Sequence, residues 1–378
     1  MPFSSLGLSS VLLKTLADQN FTVPTPIQEK CIPAILNKHD VFGIAKTGSG
    51  KTAGYVLPIL MNLQQTSLVK NRHANVLVLV PTRELAEQVK DVFKIFSKNL
   101  LQPVKTLAVY GGVSINPQMM ALQGVNVLVA TPGRLLELLS SNAVHLSAIE
   151  TLILDEADKM LNLGFKEDMN KIISLLPQER QNILFSATLS NDLQNIHQLL
   201  LKEPIVIKIE AEEYSLDLIK QVAYIVSNEK KGPFLRYLIN HHEMKQVLIF
   251  ASSVYQVDAI VNKLRKNNID AMAIHSKKSQ GSRTESLANF KSGKLRVLVA
   301  TDLMARGIDI NFLPFVINYE LPRSPKDYIH RIGRTGRAES HGDAISLVSA
   351  RELDHFGVIQ KKMGKQVEII DSEQIKIK

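Results

Sequence analysis

One stretch constrains this chain more than any other: Ala45-Lys46-Thr47-Gly48-Ser49-Gly50-Lys51-Thr52. It follows the apolar run Val41-Phe42-Gly43-Ile44, which reads as a buried strand, and precedes a helix opening at Ala53-Gly54-Tyr55. Strand, glycine-rich turn, Lys-Thr and helix make a phosphate cradle. The glycines let backbone N–H groups approach the phosphates, and the helix N-terminus adds partial positive charge. Lys51 can then neutralise the β- and γ-phosphates, and the Thr52 hydroxyl can ligate Mg²⁺. The generic pattern has Gly where Ala45 stands, so the rest of the chain has to carry the assignment.

The rest repeats one theme. Val76 to Val80, Lys105 to Tyr110 and Val125 to Ala130 are near-continuous apolar strands, each entering a polar loop: Pro81-Thr82-Arg83, Gly111-Gly112 and Thr131-Pro132-Gly133-Arg134. Leu8 to Gln19 has the spacing of an amphipathic helix. This alternation predicts an α/β fold whose sheet is mostly parallel and covered by helices on both faces. Ligands then sit at the carboxyl ends of the strands. Thr82, Arg83, Thr131, Arg134 and the Gly111–Gly112 backbone can all bind phosphates there, although each alone is as well explained as a cap or turn residue. Gln28, after Pro24 and Pro26, has an amide that can read adenine N6 and N7 as a fork. It can equally start a surface helix. Phe21 or Phe3 can stack on a base.

Thr151 to Leu154 is another buried strand, and Asp155-Glu156-Ala157-Asp158 leaves its end. Carboxylates so placed are costly without a counter-charge. Asp155 suits a Mg²⁺ ion on a triphosphate, and Glu156 suits the activation of water. An acidic helix N-terminus is the alternative. Ile183 to Phe185 ends in Ser186-Ala187-Thr188, whose hydroxyls can bridge to Asp158 or cap a helix.

With 378 residues the chain exceeds one ordinary core. The acidic stretch at 210–217 reads as a linker between domains 1–209 and 218–378. The second half restarts the alternation at Gln246 to Phe250, Ala271 to Ile274, Arg296 to Ala300 and Phe315 to Asn318, without a phosphate loop of its own. It carries His330-Arg331-Ile332-Gly333-Arg334-Thr335-Gly336-Arg337. Glycines there disfavour an ordinary helix, so the segment is expected to present its arginines to phosphate across a cleft.

Composition excludes little: 45% hydrophobic and 21% charged is ordinary for a globular protein. The net charge of +9 suits a polyanionic partner or a solvated basic surface. The single cysteine, Cys31, cannot form an internal disulfide, which fits a cytoplasmic, reducing setting. The N-terminus lacks the features of a signal peptide. The longest uncharged run, Thr106 to Gly133, is broken by Gly111, Gly112, Pro117 and Gly124, so no membrane span is expected.

Taken in order, these segments resemble the DEAD-box family of ATP-dependent RNA helicases over essentially the whole chain, with Asp155-Glu156-Ala157-Asp158 as the eponymous run. The resemblance implies two tandem RecA-like domains closing on ATP and RNA. It implies an adenine site at Phe21 and Gln28, and a phosphate site along Ala45, Lys46, Thr47, Gly48, Ser49, Gly50, Lys51 and Thr52. It implies Mg²⁺ on Thr52 and Asp155, Glu156 as hydrolytic base, Arg334 and Arg337 on the γ-phosphate, and Asp309 on the ribose. Asp158, Ser186, Thr188 and His330 would couple hydrolysis to unwinding. Pro81, Thr82, Arg83, Gly112, Thr131, Arg134, Gln280, Arg283 and Thr301 would contact RNA. This chain departs from the usual pattern at Asn20 (Gly), Lys46 (Gln), Ser253 (Thr) and Ser276 (Gly).

The expected function is therefore an RNA-stimulated ATPase that separates short RNA duplexes, with ATP and Mg²⁺ as cofactors, RNA as a largely sequence-independent partner, and a monomeric state. An ATP-gated RNA clamp uses the same residues and remains an alternative. A DNA translocase and an adaptor with a dead ATP site are weaker ones, the last because Lys51, Asp155, Glu156 and Arg334 are all present.

Overall fold

The structure is a computed structural model and describes residues 1–46, 48–65, 71–188, 200–209, 218–302, 313–336 and 342–375. Thr47, Asp309, Arg337 and the expected linker at 210–217 lie outside the described residues. The chain divides into two compact units, Met1–Ala211 and Glu212–Lys378.

The first unit is a seven-stranded sheet of β1 (Val41–Ile44), β2 (Val76–Leu79), β3 (Thr106–Val109), β4 (Val127–Ala130), β5 (Thr151–Leu154), β6 (Gln181–Ser186) and β7 (Ile205–Lys208), in the order β3-β4-β2-β5-β6-β1-β7. Every pairing is parallel. The apolar runs follow from burial on both faces. Val76 and Val78 enter one core with Leu12, Ile32, Val56 and Phe93, whereas Leu77 and Leu79 enter another with Leu135, Leu138, Met160 and Ile172. Because all strands run one way, the loops after β1 to β6 gather at one end of the sheet.

The second unit contains β8 (Ile219–Ile225), β9 (Val247–Phe250), β10 (Ala271–Ile274), β11 (Val297–Ala300), β12 (Phe315–Asn318), β13 (Gly342–Val348) and β14 (Glu368–Asp371), ordered β10-β11-β9-β12-β13-β8-β14 and again parallel throughout. Its strands also alternate between cores: Val247 and Ile249 pack with Phe234 and Ile260, and Leu248 and Phe250 with Phe290.

One local outcome differs from expectation. The first long helix spans Ser10–Asp18 rather than starting at Leu8, because the Ser9 hydroxyl accepts the Leu12 N–H and caps it. At Asn20, where the family usually has Gly, φ is +59°, a left-handed conformation that Asn tolerates better than most side chains.

Candidate nucleotide-hydrolysis site

β1 delivers the chain into the loop 45–50, and the helix Lys51–Leu63 leaves it. Gly50 sits at φ +90°, and a Cβ there would lie 2.6 Å from Gln28 Nε2 and 2.8 Å from Thr25 Oγ1, so glycine is required. The loop is latched from the neighbouring helix Pro26–Leu36. Thr25 Oγ1 donates to the Ser49 carbonyl (2.9 Å), and Gln28 Nε2 donates to the Gly50 carbonyl (3.0 Å). Gln28 Oε1 accepts the Thr25 N–H (2.9 Å) in a capping box. The amide fork expected to face adenine is therefore occupied by protein, with Gln28 only 1% exposed. Phe21 is partly exposed and packs edge-on against Phe96, with centroids 5.7 Å apart.

Lys51 is buried, and its Nζ donates to the Ala45 carbonyl at 2.6 Å. Burial lowers its pKa below the ordinary 10.5, opposed by Asp155 and Glu156. Asp155, at the end of β5, is buried too. Burial raises its carboxyl above the ordinary 3.8, opposed chiefly by Lys51. Tyr55, one helical turn beyond Lys51, donates its hydroxyl to Asp155 Oδ2 (2.9 Å). It thereby ties the helix Lys51–Leu63 to the acidic residue that follows β5. Sequence reasoning missed Tyr55, although its position one turn after Lys51 puts both on one helix face.

Glu156 adopts φ +55° and ψ +46° as it starts the helix Ala157–Asn162, an uncommon conformation for a side chain of this size. Its Oε2 pairs with Lys159 Nζ at 2.7 Å, a partner sequence reasoning had not singled out. Thr188 Oγ1 donates to Asp158 Oδ2 (2.9 Å), and Ser186 Oγ donates to the Thr188 carbonyl (2.7 Å). The loop after β6 is thus tied to the helix after β5 within the first unit.

Among the described residues, Ser49 Oγ, Asp155 Oδ1 and Asp158 Oδ1 are buried polar atoms without a hydrogen-bond partner. Such groups cost roughly 1–3 kcal/mol each when left unpaired. An unpaired Asp155 oxygen and the Thr52 hydroxyl form a donor set that suits Mg²⁺. That ion keeps several waters and shares phosphate oxygens rather than needing a cage of carboxylates.

At the same end of the sheet lie the first-unit residues expected to meet RNA. Thr82 caps the helix Arg83–Ser97 through the Leu85 N–H, and Pro81 is buried before it. Arg83 packs its guanidinium over Gly112, which has φ +78°. Arg134 is 6% exposed, with Nε on Glu137 (2.7 Å) and Nη2 on the Val113 carbonyl (2.9 Å). Thr131 is buried at the start of the helix Pro132–Ser140.

In the second unit, Arg283 is buried and donates to Gln280 Oε1 (2.5 Å), while Thr301 follows β11 half-buried. The arginine segment departs from expectation, since Arg331 is 2% exposed and Arg334 7%. Arg331 grips Asp302 through Nε (2.5 Å) and Nη2 (2.7 Å). Its Nη1 donates to Asn318 Oδ1 (3.1 Å) and the Glu320 carbonyl (2.6 Å). The guanidinium also lies 5.0 Å from the Phe250 ring centroid. A planar fork with this many acceptors is stable when buried, so Arg331 holds the fold of its own unit instead of being presented. His330 is half-buried on the helix Pro325–Ile332.

A lysine and carboxylates around a glycine-rich turn at the carboxyl end of a parallel sheet define a nucleoside triphosphatase. The chain belongs to the DEAD/DEAH box helicase family, whose model matches residues 25–196. The helicase conserved C-terminal domain matches residues 230–339. It is 38% identical over 367 residues to the DEAD-box ATP-dependent RNA helicase CshA of Geobacillus kaustophilus, covering 97% of this chain and 77% of that one. Among solved structures it is similar to a DEAD box protein from the hyperthermophile Methanococcus jannaschii, with TM-score 0.54, 36% identity, and 98% and 99% of the two chains covered. It is also similar to S. cerevisiae Dbp5 bound to RNA and ADP BeF3, with TM-score 0.84, 28% identity, and 99% and 96% covered.

Proposed function

We propose that the protein is an ATP-dependent RNA helicase whose RNA-stimulated ATP hydrolysis drives local separation of short RNA duplexes. The observation that carries this reading is its likeness to RNA helicases over 97% of its length while keeping Lys51, Asp155, Glu156 and Arg334.

The loop from Ala45 to Thr52 holds the phosphates through its backbone, and Lys51 neutralises them. Thr52 and Asp155 would hold Mg²⁺, which when bound offsets phosphate charge. Gln28 and Phe21 take the adenine, Gln28 exchanging the Gly50 carbonyl and Thr25 N–H for the base. Glu156 accepts the proton of the attacking water as the β–γ phosphoanhydride bond breaks to give ADP and phosphate. Arg334, with Arg337, supplies positive charge to the γ-phosphate, and Asp309 binds the ribose. The Asp158–Thr188–Ser186 chain and His330 pass the state of the nucleotide to RNA held by Pro81, Thr82, Arg83, Gly112, Thr131, Arg134, Gln280, Arg283 and Thr301. Residues 1–209 and 218–378 form the two working domains, joined at 210–217. The protein acts as a monomer in the cytoplasm. A single cysteine, buried with its thiol pushed up to about 12, suits a reducing compartment.

The test is steady-state ATP hydrolysis without nucleic acid, with single-stranded RNA and with DNA of equal length, alongside release of a labelled strand from a short duplex. RNA alone should stimulate turnover, and strand release should require ATP. Equal turnover in all three conditions would overturn the RNA assignment. Stimulation without release would replace the helicase with a clamp.

A further inference from the structure

Among the described residues, β3 lies at an edge of the first sheet and pairs with β4. Along such a strand, the N–H and C=O of one residue point to the same side, and the side alternates from residue to residue. Lys105 and Val109 turn their carbonyls toward the β4 side, where Val127 N–H and Thr131 N–H donate to them (both 3.1 Å). Tyr110, next in the alternation, points both backbone groups to the open edge. One side chain takes both. Gln118 Oε1 accepts the Tyr110 N–H (3.1 Å), and Gln118 Nε2 donates to the Tyr110 carbonyl (3.1 Å). Its amide stands where the peptide of a further strand would be.

Tyr110 leads directly into the turn Gly111-Gly112-Val113. Were Gly112 to carry a Cβ, that atom would lie 2.1 and 2.2 Å from the two terminal Arg83 nitrogens. The turn therefore closes directly over the guanidinium. Arg134 Nη2 holds the Val113 carbonyl. The turn is gripped at its entry by Gln118, beneath its middle by Arg83 and at its exit by Arg134, while Gly112 and Val113 remain exposed. A short turn braced at three points keeps one shape before any ligand arrives, which lowers the ordering cost of binding.

We propose that Gln118 is a positioning residue for RNA: its amide ends β3 at Tyr110 and sets the Gly111–Gly112 turn in the shape that receives the RNA backbone. This rests on the proposed contact of Gly112 with RNA. Gln118 itself touches neither nucleotide nor RNA, so its removal should change how much RNA is needed and not how fast the loaded enzyme turns over.

The experiment is RNA-stimulated ATP hydrolysis across a range of single-stranded RNA concentrations for Gln118→Ala and for Gln118→Met, which keeps the bulk and loses both hydrogen bonds. Gly112→Asp serves as a direct lesion of the turn. Losing two partly exposed hydrogen bonds should raise the half-stimulating RNA concentration about tenfold in both Gln118 variants. Turnover without RNA and at saturating RNA should stay within about twofold of the unmodified protein. If Gly112→Asp weakens RNA stimulation and the Gln118 variants do not, the positioning role is overturned and the RNA reading stands. If the Gln118 variants lose RNA-free and saturated turnover together, the clamp is only part of the general fold and the proposal fails. If Gly112→Asp also leaves RNA stimulation unchanged, the turn does not meet RNA and the proposal falls with that reading.

Discussion

Numbered within its own unit, each sheet reads third, fourth, second, fifth, sixth, first, seventh strand. Each first strand feeds a helix whose first residue is a buried lysine, Lys51 in one unit and Lys231 in the other. Equivalent positions have opposite fates. Lys51 donates to the Ala45 carbonyl and lies among buried oxygens that have no partner. Lys231 donates to the Tyr319 carbonyl (3.2 Å) and pairs with Glu352 (3.3 Å), which also accepts from the Ser349 N–H (2.9 Å) and hydroxyl (2.6 Å). The difference teaches what separates a site from a scaffold. Around Lys51 the first unit leaves buried oxygens of Ser49, Asp155 and Asp158 unpaired, and at the equivalent position the second unit pairs Lys231 with an internal carboxylate.

The largest expected effect breaks the comparison if it fails. Lys51→Ala should abolish ATP binding in calorimetry, whereas Lys231→Ala should leave it intact. A reversal would mean the two lysines have been assigned to the wrong roles. Next, Arg334→Ala should cut turnover by about 10³–10⁵ while nucleotide affinity stays within a few-fold. Loss of the folded circular dichroism spectrum instead would give Arg334 the structural role that Arg331 has. Glu156→Gln should reduce turnover by about 10²–10⁴ while ATP and RNA still bind. A variant that turns over normally would remove Glu156 as the base.

The smallest effect is confined to the second unit. Lys231→Ala should lower its stability to denaturant by about 1–3 kcal/mol, because a partly buried carboxylate loses one of several partners. The pH dependence sharpens this. Burial alone would raise the Glu352 carboxyl, but the Ser349 hydroxyl and N–H, together with Lys231, outweigh it and hold the carboxyl below the ordinary 4.5. A depressed carboxylate contributes its full stabilisation above pH 4.5 and loses it as pH falls through the lower folded value. Without Lys231, acid denaturation should begin at higher pH. An unshifted acid transition would show that the pair is electrostatically idle.

The sites were readable where burial dictates composition. Strands such as Thr151–Leu154 are covered on both faces, so their apolar runs and the polar residues leaving them stand out. β8 was not readable in this way: it carries Lys220 and Gln221 within Ile219–Ile225, and its Lys220 is exposed. The edge strands β7 and β14 likewise expose Val206 and Ile369, which blurs the pattern. Arg331 and Arg334 look alike in the sequence. Arg331 meets Asp302, which the fold brings to it from the end of β11. Gln28 was recognised as a fork, but its internal partners Gly50 and Thr25 could be found only once the two helices were packed.

The position of β1 bears on how the protein comes off the ribosome. Val41 pairs with Ile183 on one side and Ile205 on the other. The strand that carries the phosphate loop is made early and finds both neighbours late, and pairing across such separations is slow. A nascent chain that ends before β6 has the loop's residues but no ladder to hold them. Nucleotide capture should therefore become possible only when synthesis has passed β7, which leaves the early segments exposed to chaperones and proteases during that interval.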